Sequence, residues 1–115
     1  MVKLESLKKS NQFKKVLKEK KVHTNYFSIF AAKNFYTPKH KCNLLISFVM
    51  KKKIGNAVKR NKIRRKLKAI VQKLLKKRGA ISQDYTYIVF GKSNAYAEKQ
   101  SILMPAMVKC FNKIK

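Results

Sequence analysis

The amino-acid sequence predicts an α+β fold: a small mixed sheet packed by helices, in the order α-β-β-(β)-α-β-α. Three observations predict it. Short runs of aromatic and aliphatic residues alternate with helical patterns of apolar spacing. The central helical pattern is regular and strongly basic. The chain has 115 residues, 45% of them hydrophobic, which suits one domain (1–115) with one modest core.

Residues 1–9 read as a basic N-terminal arm. Ser10 is a suitable N-cap for a short helix reaching about Lys20, in which Phe13, Val16 and Leu17 share one face at spacings of three and one. On spacing alone, these three side chains belong to the core. The aromatic run 26–32 reads as a strand, with Tyr26, Ser28 and Phe30 facing one way and Phe27, Ile29 and Ala31 the other. Pro38 sets a turn at 36–39. Residues 43–50 form a strand that is apolar on both faces and therefore central.

Next comes KKKIGNAVKRNKIRRKLK, residues 51–68, with ten Lys or Arg and no acid. It reads as a loop feeding a basic helix. Ile63, Leu67, Ile70, Val71, Leu74 and Leu75 make one apolar stripe, so one face is core and the other is almost pure cation. Asn56, or Gly55 before it, caps the start, and Gly79 is a stop. Residues 82–84 connect to a strand at 85–90 that Gly91 ends. From about Ser93, Leu103, Ala106, Met107, Cys110, Phe111 and Ile114 form a last helical stripe. Pro105 interrupts it, so that the helix either kinks there or becomes regular near Met104.

Charge narrows the function. Thirty Lys+Arg stand against only Glu5, Glu19, Asp84 and Glu98, a formal net charge of +26. Such a surface repels itself and seeks a polyanion. No apolar run is long enough to span a bilayer, and the opening residues, with lysines but no continuous apolar block, lead us to expect no secretory signal, so the expected partner is nucleic acid in the cytoplasm, not a membrane. Cys42 and Cys110 lack metal-ligand spacing and read as buried thiols. The carboxylates form no pair, and His23 and His40 read as surface residues or phosphate contacts, which argues against protein-based catalysis. Gly55 stands alone, without the spacing of a phosphate-binding loop. Arg60, Arg64 and Arg65 suit forked phosphate contacts or stacking. Tyr and Phe on an exposed sheet face favour unpaired RNA over major-groove reading.

The block KKIGNAVKRNKIRR, residues 52–65, resembles the signature K-K-x-G-x-A-V-x-R-N-x-x-[KR]-R of bacterial ribonuclease P proteins. The resemblance covers nearly the whole chain, from an L-K-K-x-x-x-F-x-x-V-(F/L) opening at 7–17 to a D-Y-x-x-I/V strand at 84–89. It implies a protein subunit that pairs one-to-one with a catalytic RNA to remove the 5′ leader from precursor tRNA. It also implies that the chemistry lies in the RNA, with Mg2+ bound chiefly there and no cofactor on the protein. The implied fold contains a left-handed βαβ crossover, an exception to the usual hand. The implied RNA-binding loop and helix carry Lys52, Lys53, Asn56, Lys59, Arg60, Asn61, Lys62, Arg64, Arg65 and Lys68. Phe13, Leu17 and Phe30 would line a cleft for the single-stranded leader. Leu17 stands where the family commonly has an aromatic, and Lys51 where it has a small residue. The rival reading is a small structural protein of the ribosome or nucleoid, held by charge alone.

Overall fold

Alternating apolar residues with β-branched and aromatic side chains build the sheet, and helices with one apolar stripe cover it. The computed structural model describes residues 4–6, 10–33, 44–77, 81 and 85–114. In chain order these form β1 (Leu4–Glu5), α1 (Ser10–Leu17), β2 (Lys20–His23), β3 (Phe27–Lys33), β4 (Leu44–Val49), α2 (Ala57–Leu75), β5 (Tyr85–Gly91) and α3 (Gln100–Ile114). Single 3-10 turns lie at Lys52–Ile54 and Ser93–Ala95.

The strand order is β1-β4-β5-β3-β2. β4 runs parallel to β5, with α2 in the connection between them, and β3 is antiparallel to both β5 and β2. The expected alternation in β3 holds. Phe27, Ile29 and Ala31 join Leu44, Ile46, Tyr87 and Val89 on the face that receives Ile63, Leu67, Ile70, Val71 and Leu74 of α2. The same cluster takes Leu103, Met107, Cys110, Phe111 and Ile114 of α3, and the Phe111 ring meets Tyr87 edge-on at 5.1 Å. On the opposite face Val16 of α1, Ala32 and Ile88 form a smaller buried apolar cluster among the described residues. An eight-residue helix is about 12 Å long, too short to roof the sheet, so Phe30, Val49 and Phe90 stay partly open.

Four details differ from the sequence reading. The N-terminal arm is not wholly separate, because Leu4 and Glu5 pair in parallel with Leu44 and Leu45. The first helix stops at Leu17 instead of about Lys20, since Lys20–His23 pair with residues 28–31 as the bracketed third strand. Tyr26 belongs to the β2–β3 turn: the Thr24 hydroxyl accepts from the N–H groups of Tyr26 and Phe27 at 3.2 and 3.1 Å. The last helix is continuous from Gln100 through Pro105. Proline removes one bond to the carbonyl four residues earlier, and burial of Leu103 before it and Met107 beyond it offsets that loss. Cys110 is the buried free thiol expected. The turn at 36–39, His40, Cys42, Gly79 and residues 82–84 lie outside the described residues.

Candidate nucleic-acid interface

The basic helix is started by side-chain chemistry that the sequence already displays. Asn56 Oδ1 accepts from the Lys59 N–H at 2.9 Å, and the Asn56 carbonyl accepts the first helical bond, from Arg60, at 3.0 Å. Gly55 adopts φ 155°, open only to a residue without Cβ, and an added Cβ would sit 2.8 Å from Lys59 Cδ. The glycine therefore lets the 3-10 turn bearing Lys52 and Lys53 fold directly against the start of α2.

Burial of the apolar stripe turns Asn61, Lys62, Arg64, Arg65 and Lys68 outward, with Lys59 and Arg60 half-buried beside them. Asn61 Oδ1 accepts from Arg64 Nη1 at 2.9 Å, which orients one guanidinium without neutralising it. Two further cations bracket an aromatic ring: Lys59 Nζ and Lys62 Nζ lie 5.2 and 4.8 Å from the centre of Tyr96. Lys59 also donates to Ser93 Oγ at 2.9 Å.

Lys66 behaves differently from its neighbours. Its ammonium donates to the carbonyls of Tyr96 at 2.5 Å and Glu98 at 2.9 Å, with the Ala95 carbonyl at 3.4 Å. Burial pushes its pKa below the ordinary lysine value, Lys62 adds to the effect, and Glu98 opposes it. This lysine clasps the segment before α3 onto α2, so the roles of Lys66 and Tyr96 lie in contacts about thirty residues apart that no local spacing signals.

A groove of about 760 Å³ opens beside the signature loop on the sheet face that α1 leaves bare. Its aromatic floor is Phe30 against Phe90, edge-on at 5.3 Å, with the His23 ring edge-on to Phe30 at 5.8 Å. His23 Nδ1 is held 2.7 Å from Ser28 Oγ. Leu17, 37% exposed, forms one wall, and Lys51, Lys53 and Lys92 line the rim. Lys51 Nζ stands 5.7 Å from the Phe90 ring. Of the three expected cleft residues, Leu17 and Phe30 meet here. Phe13 is not among the residues lining the groove, and with Phe30 and Phe90 it packs against the Val16, Ala32 and Ile88 cluster. Phe90, from the strand read at 85–90, lines the groove as well.

Among the described residues no group of three His, Cys, Asp or Glu side chains is placed to hold a metal ion, and no helix is long and apolar enough to cross a membrane. Lys51 and Lys53, in the loop that leads into α2, meet the aromatic surface of the groove. That arrangement suits phosphates and unstacked bases.

The backbone is similar to solved ribonuclease P proteins. With that of Staphylococcus aureus the TM-score is 0.72 at 22% identity, covering 96% of this chain and 94% of the other. With that of Thermotoga maritima it is 0.74 at 20% identity, covering 96% and 98%. In sequence, the chain is 28% identical over 109 residues to the ribonuclease P protein component of Mycoplasma mycoides subsp. mycoides SC, covering 95% of this chain and 94% of the relative. The corresponding component of Mycoplasma capricolum subsp. capricolum is 27% identical over the same length. The model of the Ribonuclease P family matches residues 1–115, end to end, and by that match the chain belongs to the ribonuclease P protein family.

Proposed function

We propose that this chain is the protein subunit of a ribonuclease P ribonucleoprotein, one protein with one catalytic RNA, in which it holds the single-stranded 5′ leader of precursor tRNA. The signature loop and α2 dock on the RNA through Lys52, Lys53, Lys59, Arg60, Lys62, Arg64, Arg65 and Lys68, with Asn56 and Asn61 fixing the helix start and Arg64. The leader lies in the groove over Phe30, Phe90 and Leu17. The observation that carries this reading is Lys53, which lines the aromatic groove and belongs to the cationic loop at once.

In this reading the labour is divided. The RNA supplies catalysis and holds Mg2+. The protein supplies fixed cations where two RNA molecules converge, offsetting phosphate repulsion that would otherwise demand more Mg2+. It acts in the cytoplasm in this reading, as an accessory subunit of the endoribonuclease.

Cleavage of a precursor tRNA by a bacterial ribonuclease P RNA at low magnesium, with and without the protein, tests the reading. Restored cleavage at the mature 5′ end only when both are present supports it. No stimulation beside an active control protein, despite salt-sensitive RNA binding, returns the chain to a generic RNA-packing role. Phe30→Ala is expected to reduce the preference for leader-bearing over leaderless tRNA. An equal loss on both substrates removes the leader assignment.

A further inference from the structure

β2 is an edge strand, and His23 at its end separates two concavities. On one side lies the aromatic groove. On the other, β2 and α3 enclose a second hollow of about 310 Å³, and His23 lines both. The ridge between them is tied down. Beyond the His23–Ser28 contact, the Thr24 hydroxyl donates to the Phe27 carbonyl at 2.8 Å, and Lys92 Nζ donates to the Thr24 carbonyl at 2.6 Å.

Like the first, the second hollow is lined by lysines, but among the described residues it has no Phe or Tyr floor. Among the described residues no acidic side chain lines it. Lys109 and Lys113 stand one helical turn apart on α3, both exposed, and neither ammonium has a hydrogen-bond or salt-bridge partner among the described residues. Like charges at this spacing repel, and a bound anion relieves the repulsion. Lys20, Lys66 and Lys92, by contrast, already donate to main-chain carbonyls. Beside the free pair is Ile102, 47% exposed, an apolar surface for a sugar or base. Unpaired cations along a groove let a protein track the backbone of a single strand without reading its sequence.

We propose that the RNA strand in the aromatic groove continues over the His23 ridge into this second hollow, where Lys109 and Lys113 take phosphates of the leader's upstream part and Ile102 supports a sugar or base. The proposal rests on the reading of the aromatic groove as the leader site.

The test measures binding of precursor tRNAs by the holoenzyme, with leaders lengthened one nucleotide at a time, for the wild type and Lys109→Ala/Lys113→Ala. Wild-type affinity is expected to rise in two stages, first as the groove fills and again as the strand crosses the ridge. The double variant is expected to lose the second stage only. For long leaders it also makes the dependence of log affinity on log salt shallower by about 1.4, two phosphates at about 0.7 each. A single stage in the wild type overturns the second subsite while leaving the groove assignment standing. Equal losses at every leader length also overturn it, and assign the two lysines to the catalytic RNA. No leader dependence at all overturns both readings.

Discussion

The Lys66 ammonium donates to the main-chain carbonyl of Tyr96 at 2.5 Å, across 30 residues of sequence. A lysine in the middle of the basic helix is thus a fastener, whereas its exposed neighbour Lys62 meets the same segment only through a cation–π contact with the Tyr96 ring at 4.8 Å. Lys66→Met is expected to lower the unfolding free energy by on the order of 2 kcal/mol, since charged donors to carbonyls contribute more than neutral ones. The salt dependence of RNA binding should keep its slope. Lys62→Met should do the reverse, leaving stability nearly unchanged and making the slope shallower by about one. Denaturant titration and binding across a salt series separate the two, and a shallower slope in the Lys66 variant would make it an RNA ligand after all.

Gly91 closes β5 where the strand passes the core. A Cβ there would run into Met50 Sδ and lie 2.9 Å from Ile63 Cγ2. Gly91→Ala is expected to cost about 1–3 kcal/mol through overpacking. Met50→Ala in the same chain should recover part of it, because the two sites share one volume. Thermal unfolding of both single variants and the double variant measures the coupling; strict additivity would place the strain elsewhere.

How far the sequence could be read is clear from these residues. The Ile63 to Leu74 stripe, the Asn56 cap and the alternation of Phe27, Ile29 and Ala31 are local patterns, and each occurs as expected. β2 was less legible because Lys20-Lys21-Val22-His23 holds a single aliphatic residue; pairing with β3 decides its state, not propensity. Phe13 and Phe90 are both apolar, and both pack against the Val16, Ala32 and Ile88 cluster. Which of them reaches the groove depends on how little of the sheet the short α1 covers, and no spacing encodes that. The Lys66 clasp and the Tyr96 ring required the tertiary fold.

Cys110 is buried, which raises its thiol pKa above the ordinary value of 9.0, while Lys113 opposes the shift. Below pH 9.0 the thiol keeps its proton folded or unfolded, and its contribution is constant. Above it, the unfolded chain ionises first, so the folded state binds more protons and stability falls with pH until the folded pKa is passed. The decline attributable to this group cannot exceed about 1.4 kcal/mol per pH unit. Cys110→Ala costs about 1 kcal/mol of packing at neutral pH, and its deficit relative to the wild type is expected to shrink above pH 9. Denaturant unfolding from pH 7 to 10.5 would reveal it, and a constant deficit would mean that the thiol is not shielded.

Asn56 serves both the helix and the interface, and a single substitution can part those services. Its side chain caps α2 by accepting from Lys59 N–H, and it is exposed at the edge of the cationic loop. Asn56→Ala removes the acceptor and is expected to cost about 1 kcal/mol of stability. Asn56→Asp keeps the acceptor and adds a negative charge at the helix N-terminus, which the helix dipole favours by about 0.3–1 kcal/mol. Nearby Lys53, Lys59 and Arg60 should make the folded protein more tolerant of that charge still. The same carboxylate repels RNA phosphates brought to this loop. The aspartate variant is therefore expected to be at least as stable as the wild type yet to bind the ribonuclease P RNA more weakly, with the deficit largest at low salt, where screening is least. Stability and affinity falling together would mean that the loop acts through helix integrity alone. Stability maintained with affinity lost would locate the RNA phosphates at the start of α2.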